Sequence, residues 1–329
     1  MRAIVVEEFG GPEVLKLTEV PEPEPGPGRL SIDVAYAGVN FAELKARSVG
    51  YRVASLPYLP GLEVSGRIRA LGPGAAESTG LRVGQPVAAL IGSGGYAEVA
   101  LADADTVFAL PAGLSLRIAA TLPTVLPTAH GLLHRAGRLR AGESVLVHGA
   151  AGGVGTAVGQ LARLAGAGRI LGVVSGAAKV EHALRSGYDE VFVGDEFVDG
   201  VGRATEGRGI DLALDSVGGE TFRRTLAALA PFGRLVSFGN AGGEPPWQVG
   251  QTDLYPGRSV AGFSILQLSQ SAPAELRALA EETFALVAAG SVELPVSAEL
   301  PLSEAAEAHR LIESRTTTGK LLLRVGDDD

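Results

Sequence analysis

The chain has 329 residues, a net charge of −9, 5% aromatic residues and no cysteine. A disulfide framework and a thiolate metal site are thereby excluded. Nonspecific nucleic-acid binding, which depends on neutralising phosphates, is disfavoured by the charge and by the scarcity of stacking aromatics. At this length two domains with proper cores are expected. No apolar run approaches the length of a membrane span. Met1-Arg2 is followed by only four apolar residues before Glu7-Glu8, so no signal peptide is visible. The expectation is a soluble, cytoplasmic protein, with Asp327-Asp328-Asp329 as a solvated tail.

Residues 1 to about 122 are rich in Val, Gly and Pro. Short strands are predicted at Ala3 to Val6, Leu30 to Val39, Val64 to Ala70 and Val87 to Leu90, separated by turns, as in a compact β-barrel-like domain. Pro21 to Pro27 reads as a polyproline-like connector. Longer apolar helical segments begin near Ala119. His130 and His134 stand i, i+4 on one of them, a spacing able to aim both at one metal. Gly131 stands where a metalloprotease helix carries Glu, and no third ligand is in view, so the pair reads as a helix face. From Glu143 the pattern changes to alternating strands and helices. Strands are predicted at Val145 to Val147, Ile170 to Val174, Glu190 to Val193, Ile210 to Asp215, Arg234 to Asn240 and Ser259 to Phe263. Helices fall between them, from Val154 to Ala165, Ala178 to Ser186 and Thr221 to Leu229. This is the signature of a doubly wound parallel sheet. A helix over Pro273 to Ala289 follows, and a strand at Leu321 to Val325 returns to the first domain. The expected domains are 1–122 with 266–329, and 123–265.

The chemistry is concentrated in Gly149-Ala150-Ala151-Gly152-Gly153-Val154-Gly155, between the strand at Val145 to Val147 and the helix after it. Glycines there let backbone N–H groups approach a pyrophosphate, and the helix N-terminus adds partial positive charge. An NAD site carries Asp or Glu at the end of the second strand to hold the ribose hydroxyl. Here Val174-Ser175-Gly176 stands at that point, Lys179 follows, and no acid occurs before Glu181. A hydroxyl and a lysine suit a 2′-phosphate, so NADP(H) is the expected dinucleotide. His148, just before the turn, reads as a packing position. The glycines also fit a short-chain dehydrogenase spacing, but no tyrosine here has a lysine four residues on. Ser65 and Ser93 lack the context of a hydrolase nucleophile.

Several further motifs carry a resemblance over essentially the whole chain. They are Gly38-Val39-Asn40-Phe41, Pro60-Gly61-Leu62-Glu63-Val64-Ser65-Gly66, Asp215-Ser216-Val217-Gly218-Gly219 and Phe238-Gly239-Asn240, together with the glycine turn. In these the chain resembles the medium-chain dehydrogenase/reductase superfamily, and within it the zinc-free quinone oxidoreductases related to zeta-crystallin. The resemblance implies a GroES-like β-barrel catalytic domain plus a Rossmann dinucleotide-binding domain, and a homodimer. Zinc members carry a cysteine where Asn40 stands and a histidine where Leu62 stands. They also have a four-cysteine lobe, which would fall in the short loop Gly92-Ser93-Gly94-Gly95-Tyr96. Leucine cannot bind a metal and asparagine is a poor zinc ligand, so no metal is expected.

Without zinc, the expected reaction is hydride delivery from NADPH to a quinone or a small α,β-unsaturated carbonyl, whose developing charge hydrogen bonds stabilise. The resemblance places the catalytic candidates in Asn40 to Tyr51, NFAELKARSVGY, as a loop. Asn40 would set an amide near nicotinamide or acceptor, and Tyr51 would hydrogen-bond the acceptor oxygen or relay a proton. Glu43 stands where relatives commonly have Asp, and Arg47 reads as the partner of a neighbouring acid. On the cofactor side, the resemblance adds Thr128 near the nicotinamide amide, Asn240 and Phe263 where relatives approach the cofactor from the ends of later strands, and Arg315 near the 2′-phosphate. Gly194 replaces a tyrosine that often accompanies the phosphate-binding lysine. Two other readings stay open: a 2-enoyl-thioester reductase of fatty-acid or polyketide assembly, and a non-catalytic NADP-binding sensor or structural protein.

Overall fold

The computed structural model describes residues 1–326, so the acidic tail at 327–329 lies outside the described residues. The chain divides into two compact units, Met1–Pro127 with the segment from Leu266 on, and Thr128–Ile265.

In the first unit, β1 (Arg2–Val5) pairs antiparallel with β2 (Lys16–Glu19). The frame is set by β3 (Arg29–Val39), followed by α1 (Phe41–Val49), β4 (Glu63–Leu71), the short α2 (Ala75–Thr79), β5 (Pro86–Leu90), β6 (Val99–Asp103), β7 (Val107–Ala109) and the short α3 (Leu116–Ala119). Eleven residues make β3 long enough to serve two neighbours on one edge. Arg29 to Asp33 pair with β6, and Tyr36 to Val39 pair with a strand from the C-terminal segment. Its other edge pairs with β4 through two register shifts, which bend the sheet.

The second unit begins within α4 (Val125–His130), which runs into a π-helical turn at Gly131–Ala136. It continues with β8 (Ser144–His148), α5 (Gly153–Leu164), β9 (Arg169–Val174), α6 (Val180–Arg185), β10 (Glu190–Val193), α7 (Phe197–Ala204), β11 (Ile210–Asp215), α8 (Gly219–Ala227), β12 (Leu229–Ser237) and β13 (Ser259–Gly262). All six strands are parallel, in the order β10-β9-β8-β11-β12-β13. The chain moves outward from β8 through β9 to β10, then returns to build the other half from β11. The switch point therefore lies between β8 and β11, where ligands bind in such sheets, at the C-terminal strand ends.

The chain closes with α9 (Ile265–Ser271), α10 (Pro273–Ala288), β14 (Val296–Pro301), α11 (Ala305–Glu313) and β15 (Lys320–Arg324). The predicted final strand does return to the first unit: Leu321 lies opposite Val39 on β3. Leu302, Ala305, Leu321 and Leu323 join Ile32, Val64 and Val87 in one buried core. Among the described residues no helix is long and apolar enough to cross a membrane.

Three expectations are corrected. Asn40 to Tyr51 is mostly helix α1, not a loop: Glu43 Oε2 accepts the backbone N–H of Asn40 at 2.8 Å, and Leu44 and Arg47 are buried on one face. β12 starts at Leu229, which pairs with Ile210, and ends at Ser237, so neither Leu229 belongs to the preceding helix nor Asn240 to the strand. Four strands (β2, β6, β7 and β14) and several helices, α2, α7, α9 and α11 among them, were not expected. The strands are three to six residues long, too short for periodicity to register against the turns around them.

Candidate active site

In the second unit the glycine turn sits at the switch point. Gly149 takes φ 71°, a left-handed conformation, and Gly152 caps α5 in extended conformation with no side-chain hydrogen bond to the helix. A Cβ on Gly155 would lie 2.3 Å from Gly149 O, so only glycine lets turn and helix approach this closely. Ala151 is buried beside them, and Gly153 and Val154 open the helix. The first turn of α5 thus presents backbone donors that no side chain caps, and an anion suits it. The Tyr188 hydroxyl donates to Gly155 O at 2.6 Å, bracing this turn, a contact that sequence reasoning missed.

At the end of β9, Ser175 is exposed, and Lys179 closes a short 3-10 turn. His182 stands beside it, with Nε2 2.9 Å from Thr156 Oγ1. Burial lowers its pKa first, and the positive charges of Arg185 and Lys179 lower it further. The next acid along the chain, Glu181, is paired with Arg185. Lys179, His182 and Arg185 thus follow the end of β9 on one short stretch of chain.

Thr128 is buried at the start of this unit. Asn240, just past β12, is exposed and donates through Nδ2 to Glu244 O at 2.7 Å. Phe263 follows β13, its N–H bonded to Ser237 O. Asp215 ends β11 buried and accepts the N–H groups of Val217 and Gly218, and burial raises its pKa. Arg315 belongs to the first unit, exposed at φ 57° just past α11, and is not part of the body that holds Ser175 and Lys179. His148 packs edge-on to Phe197 and shares a 2.7 Å hydrogen bond with Thr225 Oγ1, and burial pushes it down to about 4. The His130 and His134 rings lie 4.4 Å apart. Among the described residues no three His, Asp or Glu side chains are grouped to hold a metal.

The first unit carries an open cavity of about 650 Å³. Its wall includes Glu43, Ala46, Tyr51, Tyr58, Leu62 and Ser93. Tyr51, placed by the Gly50 cap of α1, is 48% exposed on this wall. Asn40 is not on it. Its amide is held from behind by a buried polar cluster drawn from α1, β4 and β15. Lys320 Nζ donates to Asn40 Oδ1 at 2.7 Å, to Glu63 Oε1 at 2.6 Å and to Val39 O at 3.2 Å. Asn40 Nδ2 donates to Glu63 Oε1 at 3.0 Å and to Glu43 Oε1 at 3.4 Å. Glu63 Oε2 accepts the N–H of Thr124, and Glu43 Oε1 accepts that of Leu62 at 3.0 Å. Glu43, Glu63 and Lys320 are 1%, 0% and 3% exposed. A Cβ on Gly38 would come within 2.3 Å of Glu63 Oε1, so this glycine makes room for the buried carboxylate. Burial raises the pKa of Glu43 to about 7, with Lys320 opposing and Glu63 adding to the shift. Arg47, also buried, pairs not with a near neighbour but with Glu313 on α11.

Residues 26–112 match the alcohol dehydrogenase GroES-like domain, and residues 186–323 match the zinc-binding dehydrogenase family. The chain is 37% identical over 332 residues to the quinone oxidoreductase of Mus musculus, covering 98% of this chain and 97% of that one. It superposes on a mycobacterial protein complexed with NADPH with a TM-score of 0.92 at 33% identity, over 98% of this chain and 100% of the other. The Escherichia coli quinone oxidoreductase complexed with NADPH gives a TM-score of 0.90 at 31% identity, with the same coverage.

Proposed function

Because the chain belongs to the quinone oxidoreductase family of the medium-chain dehydrogenase/reductases, we propose that it is an NADPH-dependent oxidoreductase that reduces quinones or small α,β-unsaturated carbonyls without zinc. The observation that carries the cofactor assignment is the uncapped first turn of α5 behind the Gly149 to Gly155 turn. Its N–H groups, from Gly152 to Gly155, would hold the pyrophosphate. Ser175 and Lys179, followed by a Glu181 already paired with Arg185, would hold the 2′-phosphate; Thr128 would lie near the nicotinamide amide, and Asn240 and Phe263 would approach the cofactor from the ends of β12 and β13. When bound, NADPH supplies the hydride.

What the chain's own residues do follows from their chemistry. The cavity in the first unit takes the acceptor, its mixed wall offering apolar contact from Ala46 and Leu62 to a flat unsaturated ring or enone and polar groups from Tyr51 and Tyr58 to its oxygen. Tyr51 donates a hydrogen bond to the acceptor oxygen, where negative charge develops. Asn40 orders this wall from behind: its amide is consumed by Lys320, Glu63 and Glu43, so it positions α1 instead of reaching the acceptor. The zinc-free reading rests on the same residues. A dication at Asn40 would meet the ammonium of Lys320 2.7 Å from the amide oxygen, and Leu62 offers no ligand atom.

The test is reduced-nicotinamide oxidation against benzoquinone, phenanthrenequinone, a simple enone and crotonyl-CoA, with NADH in parallel and a chelator arm. Turnover of the quinones or the enone with NADPH, insensitive to chelation, is expected. A strong preference for crotonyl-CoA would shift the assignment to an enoyl-thioester reductase. Tight NADPH binding with no turnover would favour the sensor role, and activity lost to chelation would end the zinc-free reading.

A further inference from the structure

We propose that Glu43 is the proton donor to the reduced acceptor, an inference that rests on the function proposed above. Reduction of a quinone or enone takes up a hydride and a proton, and the cavity wall needs a group that can give the second. Two carboxyls and one ammonium, those of Glu43, Glu63 and Lys320, are buried together here. The ammonium of Lys320 lies 2.6 Å from Glu63, which also accepts from Asn40 Nδ2 and from the Thr124 N–H. Glu63 is therefore the ionised partner. Glu43 receives only neutral donors, the N–H groups of Asn40 and Leu62 and the Asn40 amide. One ammonium cannot balance two buried carboxylates, and the surplus charge is removed most cheaply by a proton on Glu43. Of the two carboxyls, only Glu43 lines the cavity.

The groups facing it are Lys320 from β15, Glu63 from β4, Tyr58 and Tyr96 from the loops, and Arg47 on its own helix. Arg47 is committed to Glu313. Tyr58, also on the cavity wall, has its hydroxyl without a partner; burial and the nearby Glu43 charge push it up to about 12, so it stays neutral. In the step, the Glu43 O–H bond breaks and a bond from that proton to the acceptor oxygen or carbanion carbon forms. The hydride provides the electron pair that reduces the acceptor. The carboxylate left behind is held by the Asn40 N–H at the N-terminus of α1 and by the Leu62 N–H just before β4, and solvent entering the cavity restores its proton. A carboxyl poised near neutrality is suited to this work.

The experiment compares the parent protein with Glu43→Gln and Glu43→Asp, using the best quinone or enone of the panel. The kcat profile is read from about pH 5 to 9 together with NADPH affinity and the infrared carbonyl band of a protonated carboxyl. Expected are a parent kcat that falls as pH rises through neutrality, and a carboxyl band that titrates over the same range. Glu43→Gln should lose the band and the falling limb, and lower kcat about 10²-fold or more at unchanged NADPH affinity. Glu43→Asp should restore part of the rate and a displaced limb, and covers the case in which the Gln variant folds poorly. A Gln variant that keeps the falling limb, whatever its rate, would overturn the proposal, as would a parent without the band. Turnover by no acceptor, with the band present, would instead refute the proposed function and the donor role along with it.

Discussion

Replacing Lys320 by methionine tests the buried cluster that underlies the catalytic wall. The substitution keeps chain length and apolar volume but removes the charge that Glu63, Asn40 and the Val39 carbonyl all share. Glu63, 0% exposed, is left a carboxylate with only the Asn40 amide and the Thr124 N–H. Breaking such a pair by deleting one partner costs about 3–5 kcal/mol. Because Lys320 sits on β15 and its partners on β3, β4 and α1, the loss should appear there. Amides of β3, β4 and β15 should exchange about two to four decades faster, at roughly 1.4 kcal/mol per decade, wherever exchange follows opening. The second unit should be unaffected. Hydrogen exchange with mass-spectrometric readout resolves this by segment. The double variant Lys320→Met with Glu63→Gln removes the orphaned charge and should recover part of the loss, since a buried pair replaced as a whole is often near neutral. Exchange unchanged in the single variant, or losses that simply add in the double one, would refute the idea that the two charges compensate each other.

Three further outcomes are expected. Lys179→Ala should cut the preference for NADPH over NADH by tenfold or more, since one charge-assisted phosphate contact is worth about 1.5–3 kcal/mol; equal affinities for the two dinucleotides in the parent would remove the 2′-phosphate assignment. Tyr51→Phe should lower kcat about tenfold or more while leaving NADPH affinity alone, the mark of a contact made in the transition state, and unchanged turnover would take Tyr51 out of the mechanism. His148 is held near 4 against 6.5 when unfolded, so the unfolded state binds the extra proton across that window and stability falls as pH drops below 6.5. At pH 5 that amounts to about 2 kcal/mol in the second unit, at about 1.4 kcal/mol per pH unit. His148→Gln should flatten the acid limb of that unit's denaturation curve, and an unchanged limb would show that other groups carry it.

What was legible in the sequence is local. The turn from Gly149 to Gly155 announces itself because two of its glycines answer demands set a few residues away: a left-handed φ at Gly149, and at Gly155 the carbonyl of Gly149 itself. The strands and helices around it follow from periodicity within one element, and the absence of a carboxylate before Glu181 is a matter of reading the six positions from Ser175 to Val180. Even α1 had a visible signal, Asn40 and Glu43 at capping-box spacing, which the expectation of a loop passed over. The cluster behind the cavity had none. Lys320 is 280 positions from Asn40 and 257 from Glu63, and nothing near it in the chain distinguishes it from a surface lysine. It becomes a buried ion because β15 pairs with β3 in a register that sets Leu321 against Val39. That register is chosen by the whole core, by which faces of β3, β4 and β15 bury their leucines and valines together, and a slip of one residue would turn Lys320 to the opposite face. The sequence determined the cofactor turn because its constraints act between neighbours. Only the tertiary structure decided the roles of Asn40, Glu43 and Lys320, because burial and charge compensation are properties of groups that meet solely through the fold.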